Sequence, residues 1–140
     1  MRRRKIDIKL PYIIMPSVIF VDQVSKWFAL ENLTTVCNKG YGFGLLPNFF
    51  NEIVVIFVLL LVVYAFRLSS LRLRRIEQYI AYSLVVGGGL SNLIDRVARG
   101  CVVDFIDLKI WPAFNLADSA ITMGVFLIIY TLIFHPKPIR

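Results

Sequence analysis

Residues 91–118 read SNLIDRVARGCVVDFIDLKIWPAFNLAD, and the placement of this stretch decides the fold. It contains Asp95, Asp104, Asp107 and Asp118, four of the nine acidic residues of the chain. On each side lies an apolar run long enough to enter a bilayer. A carboxylate set against such a run is costly to desolvate, so it marks a functional site whose partner has to be identified. Asp104 and Asp118 are taken as the working pair.

Working outward, the apolar runs dominate the chain. Its 140 residues are 58% hydrophobic, with a mean hydropathy of +0.71, well above the roughly half-apolar make-up of soluble domains. One membrane domain over 1–140 is expected, since four spans of about 20 residues leave only modest loops and short ends. The third span is read over Tyr79–Ile94 and the fourth over Ala117–Phe134. The second is read over Ile53–Phe66, lengthened by Phe49, Phe50 and Leu68 with Arg67 snorkelling to the surface. The first follows Arg2, Arg3, Arg4, Lys5 and Lys9 and starts as LPYIIMPSVIFV, in the manner of a signal peptide. It runs straight into DQVSKW without a small-residue cleavage site, so an uncleaved span is expected, kinked at Pro16. Of Gly87, Gly88 and Gly89, at least two read as close-packing positions.

The formal charge of +7 sits in segments between apolar runs. That is a topology signal, unlike the solvated basic face that nucleic acid requires. Eleven of the 16 Lys and Arg lie in the amino terminus, the 67–75 loop and the tail, so both termini are expected to be cytoplasmic. His135, the only histidine, lies in that tail and is given no chemistry.

Each run is eroded by polar residues at one end: Asp22–Lys26, Asn48–Glu52, Asn92–Arg96 and Asn115–Asp118. With alternating topology all four eroded ends fall on the outer face, which points to one polar site at the outer boundary of the bilayer. Asp22 and Lys26 share a helix face and can neutralise each other. Gln23 and Ser25 either join the site or mark where the helix leaves the membrane. Gly88, Asn92 and Asp95 or Arg96 form one stripe. The outer loop Glu31–Glu52 carries glycines at 40, 42 and 44 and β-formers at 34–37, which suits short strands. Its Phe43, Phe49 and Phe50 suit interfacial anchoring equally well.

The motifs DQVSK (22–26), NKGYGF (38–43), NLIDR (92–96), GCVVDF (100–105) and FNLAD (114–118) together resemble the lipoprotein signal peptidase (signal peptidase II) family of membrane aspartyl peptidases. Their order and spacing cover nearly the whole chain. Two positions depart from the family pattern: Ser91 replaces the usual glycine before NLIDR, and Gly42 replaces an alanine. The resemblance implies an all-α membrane protein with four transmembrane helices and a small extracytoplasmic β-platform. It implies removal of the signal peptide from bacterial prolipoproteins, by cleavage before the diacylglyceryl-modified cysteine at the outer face of the cytoplasmic (inner) membrane. Catalysis would fall on Asp104 and Asp118, and support or substrate binding on Asp22, Lys26, Asn38, Gly40, Gly88, Asn92, Asp95, Arg96 and Asn115. No metal or cofactor is implied. The expected partners are the lipid-modified precursor and membrane lipid, without nucleic acid, and the expected state is a monomer.

The residues agree with that chemistry. Cleaving an amide needs an activated water and a proton for the leaving nitrogen, and two close carboxylates sharing one proton supply both. Arg96 and Asn38 suit substrate carbonyls, while Asp95 and Asp107 are read as ion-paired or solvated. Two other classes stand beside this one: a metal-dependent lipid-processing enzyme using Asp95, Asp104, Asp107 and Asp118 as oxygen ligands, and a small proton-coupled transporter subunit. Cys37 and Cys101 are too few for a disulfide framework and lack metal spacing. Each adjoins a motif of the same site, which allows an approach, but free thiols are the expectation.

Overall fold

The computed structural model describes residues 10–39, 60 and 76–134. These residues are mostly helical, with one small antiparallel sheet. In chain order they are α1 (Leu10–Asn32), β1 (Val36–Asn38), α2 (Ile76–Arg99), β2 (Val102–Asp104) and α3 (Leu116–Phe134). Residue 60 is helical as well. Residues 53–59 and 61–66 of the second expected span, both basic ends, the 67–75 loop, Gly40, Phe43, Phe49 and Phe50 lie outside the described residues.

α1 runs for 23 residues with Pro16 inside it and is long and apolar enough to cross a bilayer. It continues through the polar Asp22–Lys26 turn to Asn32, so Glu31 is helical rather than in the loop. α2 begins three residues before the expected third span and ends five after it. The polar stretch 92–96 straddles the expected boundary at Ile94, yet Ser91, Asn92 and Asp95 are buried among partners, so polarity does not end the helix. Gly100 does, at φ 74°, donating its N–H to Arg96 O at 3.0 Å; a left-handed residue after the last turn is the usual glycine stop.

Glycines set the helix spacing. A Cβ on Gly87 would lie 3.2 Å from Met15 O of α1, and one on Gly88 only 2.5 Å from Ala117 O of α3. Gly124 of α3 returns the contact, its Cβ position lying 2.7 Å from Ala81 O. α2 is thus clasped between α1 and α3 by backbone-to-backbone approach, the close contact that small residues permit. The outward faces of α1 and α3 carry exposed Phe20, Trp27, Phe126 and Phe134.

β1 and β2 pair with Val36 opposite Asp104, Cys37 opposite Val103 and Asn38 opposite Val102. Beyond β2 the chain folds back: Phe105 N and Ile106 N both donate to Phe114 O, and Phe114 N donates to Ile106 O. That closure returns residues 115–118 to the side of Asp104. The expectation of free thiols is corrected, because Cys37 and Cys101 form a disulfide with Cα atoms 5.5 Å apart. Two cysteines 64 residues apart carry no local signal of pairing. The strand register supplies it, since Cys101 is the diagonal neighbour of Cys37 across the ribbon, a separation that two thiols can bridge.

Candidate active site

Asn115 and Asp118 organise the start of α3. Asn115 is the N-cap residue: its Oδ1 accepts the Asp118 N–H at 2.9 Å, and its own N–H donates to Asp118 Oδ2 at 3.3 Å. This is a capping box with aspartate in the third position, in which two orphan donors are satisfied reciprocally. The Asn115 side chain also donates through Nδ2 to Asp104 Oδ1 at 2.7 Å. One buried asparagine therefore contacts both candidate carboxylates.

Each carboxylate has a second amide. Asn38 Nδ2 donates to Asp104 Oδ2 at 2.9 Å, and Asn92 Nδ2 donates to Asp118 Oδ1 at 2.8 Å. Asp104, on β2, is 1% exposed. Burial pushes its carboxyl above the usual carboxylate range and the nearby Asp118 charge pushes the same way, while hydrogen bonds from Asn38 and Asn115 and the charge of Lys26 pull it back in part. A carboxyl set in this way retains its proton to higher pH than a free one.

Behind the pair lies a buried ionic cluster. Lys26 Nζ lies 2.6 Å from Asp22 Oδ2 and 2.8 Å from Asp95 Oδ2, with all three side chains at 1% exposure or less. The same ammonium donates to Asn92 Oδ1 at 2.9 Å, and Asn115 Nδ2 approaches that oxygen at 3.2 Å. With two donors on its oxygen, Asn92 must turn its NH₂ toward Asp118. Asp22 Oδ1 accepts the Ala117 N–H at 2.8 Å, so α1 caps the second residue of α3 in trans, satisfying an amide that has no partner within the helix. Asp95 accepts from Lys26, Arg99, Gln23 Nε2 and Val103 N–H, which ties α2 to the strand bearing Asp104.

The structure thus brings Asp22, Lys26, Asn38, Asn92, Asp95, Asp104, Asn115 and Asp118 together. Gly88 acts through close approach, its α-carbon facing Ala117 just before Asp118. Arg96 is part-buried and donates to Asn92 O at 3.3 Å. Asn38, read from sequence as a substrate contact, turns its amide to Asp104. Ser91 and Arg99, not assigned to the site from sequence, also join it, and Gln23 takes the first of its two open readings. Ser91 Oγ donates to Asp22 Oδ2 at 2.7 Å, so this departure from the family pattern adds a hydrogen bond. Gln23 faces inward, donating to Ser91 and Asp95. Arg99, one turn after Asp95, ion-pairs with it, and their i,i+4 spacing is the signal that the sequence offers.

Asp107 is apart from the site, exposed and paired with Lys109 at 2.6 Å. The hydrogen bonds and charge of Lys109 hold its carboxyl below the usual range. With Asp95 tied to cations and Asp107 at the surface, the four aspartates do not converge. Among the described residues no three His, Cys, Asp or Glu side chains gather as metal ligands would. Next to the site, Phe105 lines an apolar cavity of about 470 Å³ with Phe20, Val24, Trp27, Phe28 and Leu33.

The chain as a whole has relatives. Residues 14–134 match the family model described as signal peptidase (SPase) II. The chain is 35% identical over 139 residues to a lipoprotein signal peptidase of Halothermothrix orenii, covering 86% of this chain and 93% of that one. It is also 35% identical over 144 residues to a lipoprotein signal peptidase of Moorella thermoacetica, covering 89% and 93%. Two solved bacterial membrane enzymes superpose on it: one with a TM-score of 0.80 at 28% identity over 100% of both chains, the other with 0.79 at 32% identity over 96% and 99%. A match through nearly the whole chain, joined to a polar site built by all three described helices, leads to one assignment: the chain belongs to the signal peptidase II family.

Proposed function

We propose that this protein is a membrane-embedded aspartyl endopeptidase that removes the signal peptide from bacterial prolipoproteins, cutting before the diacylglyceryl-modified cysteine. The observation that carries the reading is Asn115, whose side-chain amide and backbone N–H hold Asp104 and Asp118 side by side. Asp104, raised by burial, keeps the shared proton. Asp118, at the amino-terminal end of α3 where the helix dipole favours negative charge, serves as the base and accepts a proton from water. The water oxygen bonds to the scissile carbonyl carbon, the C–N bond breaks, and Asp104 protonates the leaving nitrogen. Moving the proton from Asp118 back to Asp104 restores the pair. Two like charges held by one asparagine cannot easily both ionise, which divides the roles between them.

Asn38, Asn92 and Asn115 are positioning residues in this reading, with Asp22, Lys26 and Asp95 holding the helices that carry them. Gly88 allows α2 and α3 to approach, and Arg96 together with Gly40 is assigned to the substrate. The chain is read as a single membrane domain of four spans over 1–140, acting as a monomer, with both termini cytoplasmic and the site at the outer face of the membrane. A substrate arriving laterally would keep its acyl chains in lipid, and the apolar cavity beside Phe105 supports that route.

The test is cleavage of a diacylglyceryl-modified precursor by the purified protein in detergent with a chelator present. Turnover is expected to survive chelation, and Asp104→Asn and Asp118→Asn are each expected to abolish it nearly completely. Loss of activity on chelation with both aspartates intact would favour a metal-dependent enzyme instead.

A further inference from the structure

The Cys37–Cys101 disulfide lies where the strand register gives it an influence on the reaction. β1 is three residues long, and its ladder runs to β2 in a two-stranded sheet. A two-stranded ribbon has marginal stability by itself. Asn38 lies opposite Val102 and Cys37 opposite Val103, so each reaches its partner diagonally: Asn38 to Asp104 at 2.9 Å and Cys37 to Cys101. Adjacent strand residues point to opposite faces. The disulfide therefore binds the ribbon from one face while the amide one residue away enters the site from the other.

We propose that oxidation of Cys37 and Cys101 is what docks Asn38 on Asp104, making the disulfide a positioning element of the peptidase and making full activity depend on a disulfide donor at the outer face. This rests on the peptidase reading of the same site. In forming the bond, one cysteine thiolate attacks a sulfur of the donor disulfide and the second displaces the donor thiol. The pair loses two electrons and two protons, and the donor is reduced to a dithiol. Cross-linking residues 64 apart also restricts the unfolded chain, but that effect would leave the chemistry alone. The distinguishing consequence lies at Asp104, faced by Asp118 of α3 and Lys26 of α1 and hydrogen-bonded by Asn38 and Asn115. Without the ribbon held in place, the Asn38 hydrogen bond to the carboxyl is lost.

The experiment compares oxidised protein with protein reduced by a phosphine reductant. Alkylation and mass spectrometry establish the thiol state, and a thermal melt shows that both forms are folded at the assay temperature. Cleavage of a lipid-modified precursor is then followed against pH. Because Asn38 touches Asp104, reduction is expected to lower kcat about tenfold with little change in KM, as losing a hydrogen bond to a carboxyl that gains charge when it gives its proton to the leaving nitrogen does. The basic limb of the profile should move to higher pH, because the Asn38 bond favours the ionised carboxyl. Asn38→Ala and the pair Cys37→Ala with Cys101→Ala should each start at the lowered rate and not respond to reductant. Equal kcat and an unmoved profile for verified oxidised and reduced protein would overturn the inference and leave the peptidase reading standing, as would free thiols in active protein. Absence of cleavage by folded, oxidised protein would overturn the peptidase reading, and the inference with it.

Discussion

Replacing Lys26 by methionine leaves the buried carboxylates of Asp22 and Asp95 without the ammonium that binds both, at 2.6 and 2.8 Å. Methionine keeps most of the side-chain volume, so the change is electrostatic rather than a cavity. Asp22 would retain Ser91 Oγ and the Ala117 N–H. Asp95 would retain Arg99, Gln23 and the Val103 N–H. Those bonds soften the loss but do not neutralise Asp22, so the cost belongs with that of breaking a buried pair, about 3–5 kcal/mol. At about 2–4 °C per kcal/mol for a chain near this length, the melting temperature in detergent should fall by roughly 6–20 °C. Adding Asp22→Asn to Lys26→Met removes one stranded charge, and the amide can still accept from Ala117 N–H while donating to Ser91 Oγ. The double variant should therefore melt above the single one by the equivalent of about 1–3 kcal/mol. Intrinsic fluorescence melts of the four proteins complete the cycle. A fall of less than about 3 °C for Lys26→Met, or a double variant that melts lower than the single, would refute the ion-pair account.

The Asp104→Asn, Asp118→Asn double variant should be little slower than either single one, since residues acting as a unit are not additive; single-turnover cleavage measures it. The pH–rate profile should be bell-shaped, with a basic limb above the ordinary carboxylate range because burial raises Asp104, and its two values belong to the pair. Gly88→Ala places a methyl 2.5 Å from Ala117 O and should cost about 1–3 kcal/mol through overpacking. Gly87→Ala, at 3.2 Å from Met15 O, should cost less, and paired melts compare them. Reporter fusions after Lys39 and Lys109 should read outside and one after Arg72 inside; an outside signal at Arg72 would overturn the proposed topology.

Much of this site could be read within single segments. Asp22 and Lys26 are one turn apart on α1, and Asn115 and Asp118 are three apart where a helix begins, so each pair interacts through local geometry that spacing reveals. The apolar runs marked α1, α2 and α3 because helical periodicity and bilayer length act over 20 or so neighbouring residues. What spacing does not contain is which neighbours meet across the fold. The trans cap from Asp22 to Ala117 spans 95 residues. The position of Lys26 between Asp22 and Asp95 depends on α1 and α2 approaching at Gly87, and the turn of Asn92 toward Asp118 on α2 and α3 approaching at Gly88. Gln23 reads equally as a site residue or a helix end until Ser91 and Asp95 are seen opposite it. Cys37 and Cys101 read as separate thiols until the register of β1 on β2 makes them diagonal neighbours. Local spacing therefore determined the helices, the capping box and the carboxylate motifs, while interhelical distance and strand register, set by backbone contacts between distant segments, decided which of those groups form one site.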